Sequence, residues 1–304
     1  MSVVGFDTSN YTTSIACFDG IDGVNCSQLL PVKQGELGLR QSDAVFHHTK
    51  SLPELSGRLF SHVQGRIEAV GVSTRPRAVE GSYMPCFMVG YSHAKLLSDA
   101  CGVPLFEVSH QQGHVAASLW SAGRLDLMDV PHLAWHLSGG TTELLLVEPE
   151  GRNVKCTRIG GTTDISAGQL IDRTGVMLGL PFPAGKHLDA LSGEAQGREV
   201  FRVKCPEMEF SLSGVQNKVQ QFHKGNDAET AAYALRCVAF AVRKATENAL
   251  KAYPGLEVVF SGGVASNSML RQLTADLHPI YCAPQYSTDN AMGVAVLAKR
   301  ITEG

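Results

Sequence analysis

Apolar residues in this chain come in short runs that stop at clusters of Ser, Thr and Gly. The first run, Val3-Val4-Gly5-Phe6, enters Asp7-Thr8-Ser9-Asn10-Tyr11-Thr12-Thr13 and is answered by Ile15-Ala16-Cys17-Phe18, so residues 2–18 read as strand, turn and returning strand. The same grammar returns at 132–147. There His132-Leu133-Ala134-Trp135-His136-Leu137 leads into Ser138-Gly139-Gly140-Thr141-Thr142-Glu143 and out through Leu144-Leu145-Leu146-Val147. After each hairpin the pattern alternates. It predicts helices over 49–62 and 86–101 with strands over 67–73 and 103–108, then helices over 164–178, 228–251 and 266–276 around a strand over 256–261. One hairpin grammar used twice, about 130 residues apart, predicts duplicated α/β domains with mixed sheets. The ligand is expected in the cleft between them.

The turns suggest what that ligand is. Hairpin turns rich in Ser, Thr and Gly offer backbone N–H groups and hydroxyls to an anion. A third turn, Ser261-Gly262-Gly263-Val264-Ala265-Ser266-Asn267, follows the buried run Val258-Val259-Phe260 and precedes a helix. Alone it could be an ordinary strand-to-helix turn. Three such turns in one chain point to a nucleotide-like ligand.

His110 and His114 lie one helical turn apart, and Ser109 stands ahead of them as an N-cap. The spacing points two imidazoles the same way, which makes either a metal half-site or two histidines satisfied within the fold. A catalytic metal needs at least a third donor, which the fold has to bring from a distance.

Composition narrows the class. At 304 residues and 44% hydrophobic, the chain fills two domain cores. No apolar run reaches the roughly 20 residues of a spanning helix, and residues 1–7 read as a buried strand rather than a signal peptide, so a cytoplasmic protein with no membrane partner is expected. The eight cysteines form no C-x-x-C pair and read as reduced, structural thiols. A net charge of −3 provides no broad basic field, so a nucleic-acid partner needs local contacts or other subunits.

Taken in order, the motifs resemble the tRNA threonylcarbamoyladenosine synthase (TsaD) family, built on the actin, sugar kinase and Hsp70 fold. The resemblance rests on Gly5-Phe6-Asp7-Thr8-Ser9, on Ser109-His110 with Gly113-His114, and on Ser138-Gly139-Gly140-Thr141. It continues through the segment from Gly168 to Gly185 followed by Asp189, then Phe210-Ser211-Leu212-Ser213-Gly214-Val215-Gln216, Gly262 to Asn267, and Thr288-Asp289-Asn290-Ala291. The family's fold implies one lobe from residues 1–108 with 290–304 and a second from 109–289.

The resemblance also implies a site. His110, His114 and Asp289 would be the catalytic triad and bind one iron or zinc ion. Ser138, Gly139, Gly140, Asp172, Gly185, Asp189 and Asn267 would contact an adenylate or ATP-like nucleotide, with His136 and Leu137 of the entering strand in the same substrate-binding set. His136 also reads as a packed strand histidine, and Asp172 and Asp189 as a helix face and a surface charge. The implied reaction moves the threonylcarbamoyl group from L-threonylcarbamoyl adenylate to N6 of the adenosine beside the anticodon of tRNA and releases AMP. Implied partners are tRNA, a TsaB-like paralogue, a small TsaE-like ATPase and the upstream adenylate-forming enzyme. The helix beginning near residue 47 is the expected paralogue contact.

The chain departs from the family pattern at several points. Asn10-Tyr11-Thr12-Thr13 replaces an acidic turn, Ser73-Thr74-Arg75-Pro76-Arg77 replaces a Gly-Pro-Gly loop, and Asp164-Ile165 replaces an acidic pair. His48 to Leu55 looks closer to TsaB. The alternatives are a carbamoyltransferase paralogue with another acceptor and a TsaB-like scaffold that works without metal. A metalloprotease lacks its H-E-x-x-H motif here, and a sugar or acetate kinase would act without the triad.

Overall fold

The structure is a computed structural model that describes residues 1–9, 11–31, 39–63, 65–286 and 291–304. The chain begins with β1 (Ser2–Ser9), β2 (Thr12–Phe18), β3 (Gly23–Leu29) and α1 (Gln41–Phe60). It continues through β4 (Ile67–Arg75), α2 (Phe87–Cys101), β5 (Leu105–Ser109) and α3 (His110–Ser121). Next come β6 (His132–Leu137), β7 (Thr142–Glu150), β8 (Asn153–Thr162), α4 (Ala167–Met177), α5 (Gly185–Ser192) and β9 (Glu209–Phe210). The remainder is α6 (Ser213–Phe222), α7 (Asp227–Ala252), β10 (Val258–Ser261), α8 (Ser268–Thr274), β11 (Ile280–Tyr281) and α9 (Met292–Thr302).

Two compact units result: residues 1–130 with 148–156 and 289–304, and residues 131–147 with 157–288. The first division falls after Val130, so α3 and its histidines pack within the first unit. Each unit holds one sheet. The first runs β3-β2-β1-β4-β5 and the second β11-β10-β6-β7-β8-β9. In both, the opening strand pairs antiparallel with the next strand and parallel with a later one, β1 with β2 and β4, β6 with β7 and β10. Strands β6-β7-β8-β10-β11 thus repeat the order of β1 to β5, and the hairpin repeat in the sequence is a repeat of topology.

In the first unit the two faces of the sheet divide the residues cleanly. Val4, Phe6, Val70 and Val72 join Leu52, Leu55 and Leu59 of α1 in one core cluster. The opposite face carries Val3, Gly5, Ala69 and Gly71 and is covered by α9. A side chain at Gly5 would meet Ala291 and Ala295, and one at Gly71 would meet Val294 and Ala298. Close approach recurs where α9 crosses α3, since a Cβ on Gly293 would collide with the Gly113 carbonyl. Two glycines at a helix crossing let the backbones touch and fix the helix that carries both histidines.

In the second unit α7 lays a stripe of small residues, including Ala234, Val238, Ala241, Val242, Ala245 and Ala249, into the main core beside Leu133, Trp135 and Phe260. Trp135 is fully buried, and its indole N–H donates to Thr246 Oγ1 at 2.8 Å. Burial of the large ring is therefore achieved with no unpaired N–H. All eight cysteines are free.

Candidate functional site

The first cluster grows from the end of β1. Seven residues of this strand are apolar or small, yet Asp7 sits among them only 1% exposed. A carboxylate buried this deeply needs partners. Its Oδ1 accepts the Ser9 amide at 3.0 Å, and its Oδ2 lies 2.7 Å from His110 Nδ1. The partner helix starts where the sequence indicates, with Ser109 and Gln112 closing a capping box at its first turn. Gln112 also donates to the Val154 carbonyl at 2.7 Å, which anchors the turn between the two histidines. His114 Nε2 then lies 2.9 Å from His110 Nε2, with the ring centroids 4.3 Å apart and the rings edge to face.

This arrangement supplies two of the donors that a divalent cation needs. With Nδ1–H of His110 donating to Asp7, Nε2 presents a lone pair, which is how a carboxylate orients a metal-binding histidine. Zinc–nitrogen bonds of about 2.0–2.1 Å place neighbouring ligand nitrogens roughly 3 Å apart, the spacing found between the two Nε2 atoms. Among the described residues no three His, Cys, Asp or Glu side chains form a complete metal cage. Asp289, the expected third ligand, lies outside the described residues.

Close by, His48 is fully buried on α1, with Nδ1 2.7 Å from Thr13 Oγ1. Burial pushes its pKa down to about 4, against the opposing pull of the Asp7 charge. It is a neutral packing histidine at physiological pH.

The second cluster belongs to the other unit and is made of turns. Ser138 closes the β6–β7 turn by accepting the Thr141 amide at 3.1 Å while its own amide donates to the Thr141 carbonyl. Ser166, the N-cap of α4, donates to the Gly139 carbonyl at 2.6 Å, and the backbone at Gly168 presses on Ser138 and Gly139. Gly262 adopts φ 92°, and a Cβ there would strike Leu137. Only glycine tolerates both demands, so the turn after β10 seats directly on the end of β6. Gly139, Gly140, Gly185 and Gly263 meet open space where a side chain would be.

The carboxylates of this cluster are engaged by the protein. Asp189 accepts from Asn267 Nδ2 at 2.8 Å and from the Ser268 hydroxyl and amide at 2.7 and 3.0 Å. Asn267 in turn caps α8 through the Leu270 amide. Asp172 accepts the Ala184 amide at 2.8 Å, just before Gly185, and burial pushes its pKa up. Leu137 is buried in the core, so its main chain is the part next to the turn, while His136 is half-buried and pairs in register with Glu143.

Sequence reasoning named two further carboxylates without finding their partners. Asp7 appeared there only as part of a motif, although an Asp interrupting a buried strand is a signal in itself. Asp164 accepts the Ser211 and Ser213 hydroxyls at 2.5 and 2.6 Å and the Leu212 amide at 2.8 Å. Burial opposes ionisation, but those bonds and the Ser213 amide hold its carboxyl well below the usual range. It pins the Ser211–Ser213 turn at the start of α6.

The sequence model of the family described as "TsaD: tRNA N6-adenosine threonylcarbamoyltransferase" matches residues 34–296. A relative of that name from Carboxydothermus hydrogenoformans is 34% identical over 246 residues, 76% of this chain and 70% of that protein. Among solved structures, HypF of T. kodakarensis aligns with all of this chain at a TM-score of 0.63 and 14% identity. The chain spans about half of HypF, 48% of its length. A ROK family glucokinase from Streptomyces griseus aligns over 99% of this chain and 100% of its own at a TM-score of 0.56 and 11% identity. At such identities the likeness is one of fold, and the fold is the α/β architecture of the actin and sugar-kinase group.

Proposed function

Because the chain belongs to the TsaD family of tRNA N6-adenosine threonylcarbamoyltransferases, we propose that it transfers the threonylcarbamoyl group of L-threonylcarbamoyl adenylate to N6 of the adenosine beside the anticodon in tRNA. The bond between the carbamoyl carbon and the phosphate oxygen breaks, the N6–carbon bond forms, the amine gives up a proton and AMP leaves. The observation that carries this reading is the line Asp7, His110, His114, in which the two imidazole Nε2 atoms lie 2.9 Å apart.

His110 and His114 are the proposed ligands of one iron or zinc ion, with Asp289, outside the described residues, as the third. When bound, the metal supplies Lewis-acid polarisation of the acyl group. Gly293, four positions after Asp289 in the sequence, packs on Gly113 between the histidines, which supports the grouping. Asp7 holds His110 in one tautomer and one orientation. The amides of the Ser138-Gly139-Gly140 and Gly262-Gly263 turns are the proposed cradle for the phosphate of the adenylate, where open space meets the glycines. Gly185, Asp172, Asp189, Asn267 and His136 belong to the nucleotide side of the reading. Asp189 acts there by bracing Asn267 and the start of α8.

tRNA is the proposed acceptor, and a TsaB-like paralogue, a small TsaE-like ATPase and the adenylate-forming enzyme are the proposed partners. No described helix is long and apolar enough to cross a membrane, and a tRNA substrate supports a cytoplasmic location. The test is direct. Purified chain, supplied with the adenylate, tRNA and the partner proteins, should give threonylcarbamoylated adenosine by nucleoside mass spectrometry, and His110→Ala should not. Unmodified tRNA with wild-type protein under conditions that sustain a known family member would contradict the reading.

A further inference from the structure

Residues 196–224 carry five Lys and Arg against three Glu, in a chain whose net charge is −3. One of those glutamates, Glu209, is paired with Arg158 at 2.8 Å. Arg202, Lys204, Lys218 and Lys224 are exposed, and none has a carboxylate partner among the described residues. This is a local excess of positive charge, the kind of contact that an acidic chain needs to hold a polyanion.

The fold gathers these cations on one flank of the second unit. Segment 196–204 lies along α7, where the Gln196 and Gly197 amides donate to Glu229, Arg236 donates to the Glu199 carbonyl at 3.0 Å and the Phe201 amide donates to Cys237 Sγ at 3.3 Å. Helix α6 comes up beside it, with Lys218 Nζ over the Phe201 ring at 5.9 Å from the centroid, and the Arg202 guanidinium lies over Phe240 at 5.6 Å. Aromatic faces hold both cations in place and leave their charge unneutralised.

Between the end of α6 and the start of α7 is an open cavity of about 490 Å³. It is lined by Lys218, Lys224, Gln221 and Asn226 and by the rings of Phe222 and Tyr233, which stack with centroids 4.1 Å apart and planes 3° from parallel. Glu229 lines it too, but its Oε1 accepts the Gln196 and Gly197 amides at 2.7 and 3.0 Å, so its charge is met by backbone N–H groups. Asp227, at the start of α7, lies 3.9 Å from His223 Nδ1. Two ammonium groups, two side-chain amides and an aromatic wall match a phosphate and the nucleoside attached to it.

The cavity stands apart from the nucleotide turns. Helix α6 begins at the Ser211–Ser213 turn pinned by Asp164, close in sequence to the Ser166 that bonds Gly139, and its ten residues carry the chain about 15 Å away to the cavity. We propose that this flank binds the backbone of tRNA, with one phosphate between Lys218 and Lys224 and its nucleoside beside the ring wall, while the reacting adenosine lies at the transfer site. The inference rests on the tRNA acceptor of the transfer reading and adds to it a contact that supplies affinity rather than chemistry.

The experiment is a fluorescence anisotropy titration of the full chain against a labelled, unmodified tRNA with adenosine beside its anticodon, over a series of salt concentrations, with AMP titrated separately by calorimetry. Wild type is compared with the double variant Lys218→Gln, Lys224→Gln and with the control pair Lys155→Gln, Lys251→Gln, exposed lysines elsewhere, the second at the far end of α7. Loss of two phosphate contacts should weaken tRNA binding about tenfold or more at about 0.1 M salt and make the slope of log affinity against log salt shallower by about 2. AMP affinity and thermal midpoint should stay at wild-type values, because both substituted side chains are exposed, and the control pair should keep the wild-type slope. Wild-type tRNA affinity and slope in the Lys218 and Lys224 variant, or an equal loss in the control pair, overturns the inference and leaves the transfer reading standing. A parallel fall in AMP affinity and thermal midpoint overturns it in favour of a structural role. Wild type that binds AMP but no tRNA, even at low salt, overturns the tRNA acceptor reading and this inference with it.

Discussion

The two units carry their chemistry in different parts of the chain. In the first, the groups that matter are side chains: a buried carboxylate and two imidazoles. In the second, polar side chains are spent within the protein, Asp189 on the Asn267 and Ser268 side chains, Asp172 on the Ala184 amide and Ser166 on the Gly139 carbonyl. What stays open there is backbone at glycines. Imidazole nitrogens suit a cation, whereas main-chain amides suit an anion.

The contrast predicts different ways to fail. His110→Ala removes a ligand outright and should lower kcat/KM for transfer by roughly 1,000-fold, with AMP binding intact by calorimetry. Gly262→Ala attacks the other unit through its backbone. A methyl group at φ 92° facing Leu137 should destabilise the fold by about 3 kcal/mol in urea denaturation and weaken AMP binding, while metal content is kept.

Asp7→Asn sharpens the first half, because it leaves both ligands in place but removes the charge that orients one. Metal affinity should fall about 10- to 100-fold in competition with a chelator, with AMP affinity unchanged.

The smallest expected effect concerns His48. Its folded pKa of about 4 lies below the 6.5 of a free histidine, so the unfolded chain takes up the proton more readily. The contribution of the neutral ring is complete above pH 6.5 and is lost as the pH falls toward 4. Between pH 7 and pH 5 this costs roughly 2 kcal/mol, measurable by urea unfolding, and His48→Gln should lack that part of the pH dependence.

What the sequence revealed follows from the range of each signal. The hairpins at 2–18 and 132–147, the strand over 67–73 and the long helix over 228–251 are local periodicities, and the structure has β1–β2, β6–β7, β4 and α7 there. Bounds shifted where periodicity was mixed. Helix α1 starts at Gln41 rather than 49 and runs through Pro53, and the segment over 266–276 is α8 with short 3-10 turns on either side. Strand β3 went unread because Asn25, Ser27 and Gln28 give it a largely polar, exposed surface.

The site was legible to the extent that it is local. His110 and His114 share one helical turn, but Asp7 reaches His110 across 103 positions of chain and Asp164 reaches Ser211 across 47. Such pairings are made by sheet register and helix packing, which leave no period in the sequence.

The most direct test of the account is elemental analysis of purified wild type and His110→Ala. The account predicts about one iron or zinc per chain in the wild type and its loss in the variant, with the fold retained by circular dichroism. A metal-free wild type after growth and refolding with iron and zinc, or a variant that keeps its metal, would contradict the assignment of His110 and His114 as the metal-binding pair.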